Sequence, residues 1–445
     1  MNRICRRMIA TFVMVIMTGF LLGSLTFAAP PLTFEISLND AIRMALKNNP
    51  ALTIAVADRE AAKGGLTAAR AGFWPTIVAT HSDSDSWYNP GSTTNASTAT
   101  ARAGLDYFLA DNYVTVSWTL YSGGKVQGLA SQAQASLDTA TWGVAKARQT
   151  LKLNATSGYY GLVQAKKLLE VNQESVSQLE QHLKNVQLQF DVGTVAKVDV
   201  LRSEVDLANA VQNLIKAQNA YDVAMATLNN VVGLPLTTSL KTQEKLPYEQ
   251  FTTPLAECIE TGVKQRPEAL QAVAAVKSAD AGVVVARSGY LPSVAAAYKA
   301  DWNDTSFPGA DNTNQNWLAT LTTNWTVLDS GLTAGNLKKA LEGLLKARAA
   351  LGQTLDTIRL DVQSSYLNLR ESEKRIETSG VAVDKAEEDF KIAQLQYSTG
   401  VGTNLDVIDA HTALTQAKTN YVQALTDYNT NKAKLDSSMG IPVNP

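Results

Sequence analysis

The chain has 445 residues and a formal net charge of −2, from 39 Lys and Arg against 41 Asp and Glu. That balance lacks the basic footprint of a nucleic-acid binder. His81, His182 and His411 are scattered, and no metal-ligand or nucleophile spacing occurs, so neither an enzyme nor a cofactor or metal site is expected.

Residues 1–28 read as a secretory signal peptide. Arg3, Arg6 and Arg7 precede an apolar run, Met8 to Phe27, closed by the small residues Ala28 and Ala29. The competing reading is a membrane anchor, but the run is near the lower length limit of a span. Cleavage would remove three arginines and leave a charge of about −5, with Cys258 as the single cysteine and hence no intrachain disulfide. No later segment offers a run of ~20 apolar residues.

Residues 29–235 predict one structural repeat. Leu38 to Arg70 is helical, interrupted at Asn48-Asn49-Pro50; Ser37 or Asn39 can cap the first piece, and Pro50 suits the first turn of the second. Strands are expected at about 75–87 and 112–121, around a polar loop from Trp87 to Asp111. Val114, Val116, Trp118 and Leu120 alternate with Tyr113, Thr115, Ser117 and Thr119. Tyr121-Ser122-Gly123-Gly124-Lys125 lacks phosphate-loop spacing and reads as a strand-to-helix turn. No proline follows from 124 to 190. There Ala133, Leu137, Ala140, Val144, Ala147 and Leu151, then Val176, Leu179, Leu183, Val186 and Phe190, step by three and four as in a coiled-coil seam. A helix of that length spans ~100 Å. A return helix, 197–231, stops at Gly233-Leu234-Pro235.

A linker, 236–254, leads to a second repeat, 255–445. Its opening helix, Leu255 to Arg287, is interrupted at Arg266-Pro267. Strands are expected at about 292–302 and 316–328 around a loop from Asn303 to Gln315, then a long helix, 332–397, and a return helix, 404–439. An offset of 207 carries Trp118 onto Trp325, Tyr159 onto Tyr366, Gly233 onto Gly440 and Pro235 onto Pro442, without a gap. An offset of 217 carries Pro50 onto Pro267. Each return helix, at ~50 Å, can stack end to end with the ~30 Å Pro-initiated helix to match the long one.

The two helical hairpins share a tip. Phe190 to Leu201 reads F-D-V-G-T-V-A-K-V-D-V-L, and Tyr397 to Ile408 reads Y-S-T-G-V-G-T-N-L-D-V-I. Gly193, and Gly400 with Gly402, fall where a helix should stop. Thr194 and Thr403 are able to cap the next helix, and Asp199 and Asp406 lie in its first turns. Asp406 and Asp409 are three apart, on one helical face. His411 reads as a surface residue of the same helix.

Period-two runs of about ten residues with aromatic ends suit transmembrane barrel strands. Four strands cannot close a barrel, and open edges in lipid leave backbone groups unpaired, so such a chain must assemble with copies of itself. The helices then continue the barrel as a ring with a wetted lumen. The alternative is a non-conducting periplasmic coiled-coil spacer or adhesin with soluble hairpins.

The two tips, the repeat offset, the L-x-x-A-I-x-x-A-L-x-x-N-P run from Leu38 to Pro50 and the terminal Gly440-Ile441-Pro442 closely resemble the TolC-like outer membrane efflux protein family. The resemblance covers nearly all of the mature chain. It implies a mainly α protein with a membrane β-barrel: a homotrimer whose 12-stranded outer-membrane barrel continues into a periplasmic α-helical barrel. It further implies the exit duct of a tripartite efflux or type I secretion system, gated at the tips. The implied partners are self, outer-membrane lipid, a periplasmic adaptor (membrane fusion protein) and an inner-membrane RND, ABC or MFS transporter. By the same resemblance Asp406 and Asp409 match the entrance aspartates, Asp199 the first-repeat gate aspartate and Tyr397 the gate tyrosine. The adaptor-docking tip maps to Gly193, Thr194, Val198, Val200, Leu201, Gly400, Gly402, Thr403, Leu405, Val407 and Ile408. The family's gate arginine would fall at Gly402, where it is absent; Lys197 lies in the other tip, on a different helix.

Overall fold

The structure, a computed structural model, describes residues 34–88, 105–243, 246–307 and 310–443. The signal segment 1–28 lies outside the described residues. In chain order the elements are β1 (Phe34–Ile36), α1 (Leu38–Asn48), α2 (Pro50–Ala71), β2 (Thr76–Tyr88), β3 (Leu105–Tyr121), α3 (Lys125–Asp191) and α4 (Lys197–Val232). They continue with β4 (Leu240–Thr242), α5 (Leu255–Gln265), α6 (Pro267–Arg287), β5 (Ser293–Phe307), β6 (Ala310–Asn324), α7 (Leu332–Ser398) and α8 (Asn404–Ser438).

The internal copy holds at the level of whole helices. The two long helices, α3 and α7, each have 67 residues, ~100 Å at 1.5 Å per residue. The shorter helices stack against α3 as their lengths require. At the α4–α2 junction, Asn49 Nδ2 donates to Val231 O at 3.0 Å and Asn48 Nδ2 to Val232 O at 3.3 Å. Ser37 forms a capping box with Asp40 at the start of α1, and Asn49 caps α2 ahead of Pro50.

α3 is not buried along one seam. Val144, Leu151, Val176, Leu179 and Val186 are buried as the spacing predicts, but so are Gln149, Thr156, Tyr160 and His182. The reason is that α3 is flanked on two sides, by α2 and α4 and by α6 and α8. α6 approaches closely at Gly128, where a Cβ would lie 2.6 Å from Val285 Cγ2. Pro267–Tyr290 is also long and apolar enough, by length and composition, to cross a membrane, at mean hydropathy 1.4. The sequence predicts no such segment, because its Ala, Gly and Val are interrupted by charges. Here it packs between α3 and α7.

The four long strands form one antiparallel sheet in the order β2-β3-β5-β6. Its register aligns the apolar faces. Ile77, Val116, Tyr298 and Ala319 form one row, and Ala79, Val114, Ala300 and Trp317 the next. The opposite face carries Thr80, Tyr113, Asp301 and Asn316. Trp118 Nε1 donates to Phe73 O at 3.0 Å, and its repeat partner Trp325 Nε1 to Tyr290 O at 3.2 Å, tying each hairpin to the end of a helix.

The strands run further than the polar composition predicts. β3 starts at Leu105 and β5 reaches Phe307, both inside the expected loops, while β6 ends at Asn324 rather than 328. The linker holds a strand the sequence does not announce: β4 pairs in parallel with β1, Phe34 opposite Leu240. Tyr159 Oη donates to Gln243 O at 3.1 Å and Tyr428 Oη to Glu249 O, so each repeat anchors the linker. Burial drives the Tyr428 hydroxyl up to about 12.

Candidate functional site

Both tips reverse the chain with a left-handed glycine, but they start the return helix differently. Gly193 has φ +79° and Gly400 φ +78°, where a Cβ is disfavoured. The N–H groups of Thr194 and Val401 donate to Gln189 O at 2.9 Å and Gln396 O at 3.0 Å, closing equivalent turns. In the second tip Thr403 caps α8: its Oγ1 accepts from Asp406 N at 3.2 Å, and Asp406 Oδ2 accepts from Thr403 N at 2.8 Å. In the first tip Thr194 is not the cap. Its hydroxyl donates back to Gln189 O at 2.8 Å, and Ala196 occupies the cap position with no side-chain bond. The 207 offset explains this, since Thr403 aligns with Ala196.

Thr403→Ala is therefore expected to destabilise the second tip by about 1 kcal/mol. Thr194→Ala should leave the start of α4 intact. Hydrogen exchange in the first turns of α8 and α4 measures both.

The carboxylates divide by environment. Asp406 and Asp409 are exposed, and Asp199 is half-buried. The Thr403 hydroxyl and backbone N–H hold the Asp406 carboxyl below the usual carboxylate range. Tyr397 is buried and its hydroxyl has no hydrogen-bond partner, so it is not bonded to Asp199. Burial, then the nearby Asp199 charge, pushes that hydroxyl up. At Gly402 a Cβ would lie 3.0 Å from Gln396 Cβ and 3.1 Å from Tyr397 N, so the turn is built tightly around a residue without a side chain.

The apolar tip residues also divide. Val198, Leu201 and Leu405 are exposed, together with Val192 and Val401. Val200, Val407 and Ile408 are buried, Val200 and Val407 packing with Val186, Phe390 and Tyr397, so these three offer no surface to a partner.

The family profile described as outer membrane efflux protein matches residues 41–234 and 259–441. The chain belongs to that family. It is 24% identical to outer membrane protein TolC of Escherichia coli K12, over 91% of this chain and 82% of that protein. It is 23% identical to the alkaline protease secretion protein AprF of Pseudomonas aeruginosa, over 92% and 85%. Among solved structures, the CmeC outer membrane channel of Campylobacter jejuni superposes with a TM-score of 0.80 at 16% identity, over 91% of this chain and 85% of that one. CusC superposes at 0.78 and 18% identity, over 94% and 95%. As a member of the outer membrane efflux protein family, this chain is an outer-membrane exit duct for efflux and secretion with a periplasmic extension. The family is one of channels, and the non-conducting spacer is not favoured.

In this family member, sequence reasoning misses a polar cluster just above the tips. His182 of α3 and His411 of α8 are 6% and 4% exposed, so His411 is a core residue rather than a surface one. His182 Nε2 lies 2.6 Å from Asn404 Oδ1; Asn404 Nδ2 donates to Asp199 O at 3.1 Å, and Ser203 Oγ donates to Asp199 O at 2.9 Å. The signal was spacing: Leu179, His182 and Val186 on α3, and Val407, His411 and Leu414 on α8, follow a three–four step. Among the described residues no group of three or more His, Cys, Asp or Glu could hold a metal ion.

Proposed function

We propose that three copies of this chain close a twelve-stranded barrel and a continuous ring of helices, that the tips gate its periplasmic mouth, and that no catalysis occurs. One observation carries the reading. Positions covered in the first repeat are bare at their equivalents in the second. Gln149, Thr156, Tyr160 and His182 of α3 are buried, whereas Asp356, Gln363, Leu367 and Asp389 of α7 are exposed. Tyr160 is 7% exposed and Leu367 is 55%. α6 and α8 cover α3; by repeat symmetry, α2 and α4 of a second copy cover α7. Val205, Ile215 and Val223, beyond the tip, form an exposed apolar stripe along α4 that suits this contact. β2 and β6 are the sheet edges, and a β6–β2 pairing between copies would repeat the β3–β5 pairing within one.

In this assembly Asp406 and Asp409 ring the mouth, with Asp199 and Tyr397 behind them. Val192, Val198, Leu201, Val401 and Leu405 present the apolar surface for a periplasmic adaptor coupled to an inner-membrane RND, ABC or MFS transporter. With glycine at 402, closure relies on packing between the hairpins rather than on an arginine ion pair at that position. Single-channel recording of the mature protein in a planar bilayer tests the reading. Small, steady, cation-selective steps are expected. Inserted protein that never conducts would return weight to the spacer.

A further inference from the structure

The two buried histidines sit where the hairpins meet. α3 and α4 form one hairpin, α7 and α8 the other, and His182 and His411 lie on the facing helices α3 and α8. Proton placement at His182 follows from its partner. Asn404 Nδ2 is committed to the Asp199 carbonyl, which only accepts, so Asn404 Oδ1 accepts from His182 Nε2–H. His182 therefore needs a single proton, on Nε2, with its ring 5.2 Å from that of Tyr397. His411 packs 5.4 Å from Phe390, and its buried Nε2 has no hydrogen-bond partner. A second proton on His411 places an N–H at Nε2, which has no acceptor, and a charge on either buried ring is costly in the packed state.

The ionisable groups around the pair come from all four helices. Glu174 lies on α3, Asp199 and Asp206 on α4, Tyr397 on α7, and Asp409 and Lys418 on α8. Lys418 Nζ bridges the hairpins, 2.9 Å from Glu174 and 3.3 Å from Glu387 of α7. Asp206 favours a proton on His182, and Glu174 favours one on His411. Burial outweighs both, and His182 also opposes a charge on His411.

We propose that His182 and His411 form a proton-operated latch on the tip gate: with both rings neutral the two hairpins stay packed, and protonation parts them and favours the open mouth. This rests on the reading of the tips as the gate. The sign follows from burial. Both rings are held below the ordinary histidine value of 6.5, so the packed junction is fully favoured well above that pH. It loses stability as pH falls from 6.5 through the depressed values, because the parted state binds more protons. Three copies would bring six such rings to one mouth.

The test is planar-bilayer recording of the full mature chain, with the tip-side bath stepped from about pH 7.5 to about pH 5.5. The open-to-closed ratio is expected to rise severalfold and reversibly in the natural protein. It should stay flat in the double variant His182→Gln, His411→Gln, where a Gln amide can still donate to Asn404. An equal acid response in that variant would assign the effect to the carboxylates and overturn the latch. A conducting natural protein without any acid response also overturns it. A protein that never conducts removes the gate reading itself, and the latch with it. Histidine C2-hydrogen exchange on the unmutated protein gives a second readout: midpoints for both rings below 6.5 are required, and a midpoint at or above that value overturns the proposal whether or not the variant folds.

Discussion

Replacing Gly440 with alanine is expected to destabilise the protein by roughly 3 kcal/mol or more, combining ~1–3 for a left-handed non-glycine backbone with ~1–3 for overpacking. Gly440 has φ +73°, and its Cβ would lie 2.6 Å from both Cα and N of Arg266. Those are backbone atoms and cannot swing aside. The residue ends α8 directly beneath the α5–α6 break, where Arg266 Nη1 reaches Asp361 at 2.8 Å on α7. Gly233→Ala should behave alike in the first repeat, since its Cβ would meet Asn48 Cβ at 2.7 Å. Gly400→Ala supplies the control: φ is +78°, yet nothing lies within 4 Å. It should show the strain alone, ~1–3 kcal/mol. Thermal unfolding of the detergent-solubilised variants measures all three. If Gly400→Ala proved as damaging as Gly440→Ala, close packing of each return helix against its repeat's opening break would not be the reason for these glycines.

The parts of this fold that were legible in the sequence are those where one residue type acts alone. Glycines 193 and 400 announce the tips because a left-handed turn excludes other residues, and Pro50 and Pro267 announce helix starts because proline has no N–H to lose. What escaped depends on partners. Asn303, Asp304 and Thr305 look like loop, yet ladder pairing with Asn314, Thr313 and Asn312 uses backbone groups that composition does not reveal. β1 and β4 are three residues each and far apart in sequence, so neither carries a periodic signal. Thr194 has the right chemistry for a cap but stands two positions early, and its hydroxyl turns back to Gln189. Val200, Val407 and Ile408 matched a docking surface by residue type but are buried, Val200 and Val407 in the cluster where the two hairpins pack together. His411, flanked by exposed Asp409 and Thr412, read as surface because its burial comes from α3 and α7, elements distant in sequence.

Asp406→Asn combined with Asp409→Asn is expected to lower cation preference and to weaken divalent-cation block from the tip side by on the order of tenfold. Both side chains are exposed on the first turns of α8, and the proposed threefold assembly would bring six carboxylates to one narrow mouth. Hard divalent cations prefer such oxygen ligands. The two aspartates should be separable. Asp406 also accepts two hydrogen bonds from Thr403, so its neutralisation loosens the cap as well as removing charge. Those bonds hold its carboxyl below the ordinary value of 3.8, so its charge, and the cap stability that depends on it, persists down through that pH and is lost only as pH falls through the depressed value. Asp409 makes no cap bond in this structure and stands within electrostatic reach of Asp206, whose carboxyl is raised by burial and then by Asp409. Asp409→Asn alone should therefore weaken block while leaving the start of α8 intact, whereas Asp406→Asn should change block and tip exchange together. Reversal potentials in a salt gradient, with magnesium titrated on the tip side, measure the charge effect; hydrogen exchange at α8 measures the cap. Unchanged selectivity and block in the double variant would remove these carboxylates from the mouth and leave Asp406 as a helix cap only.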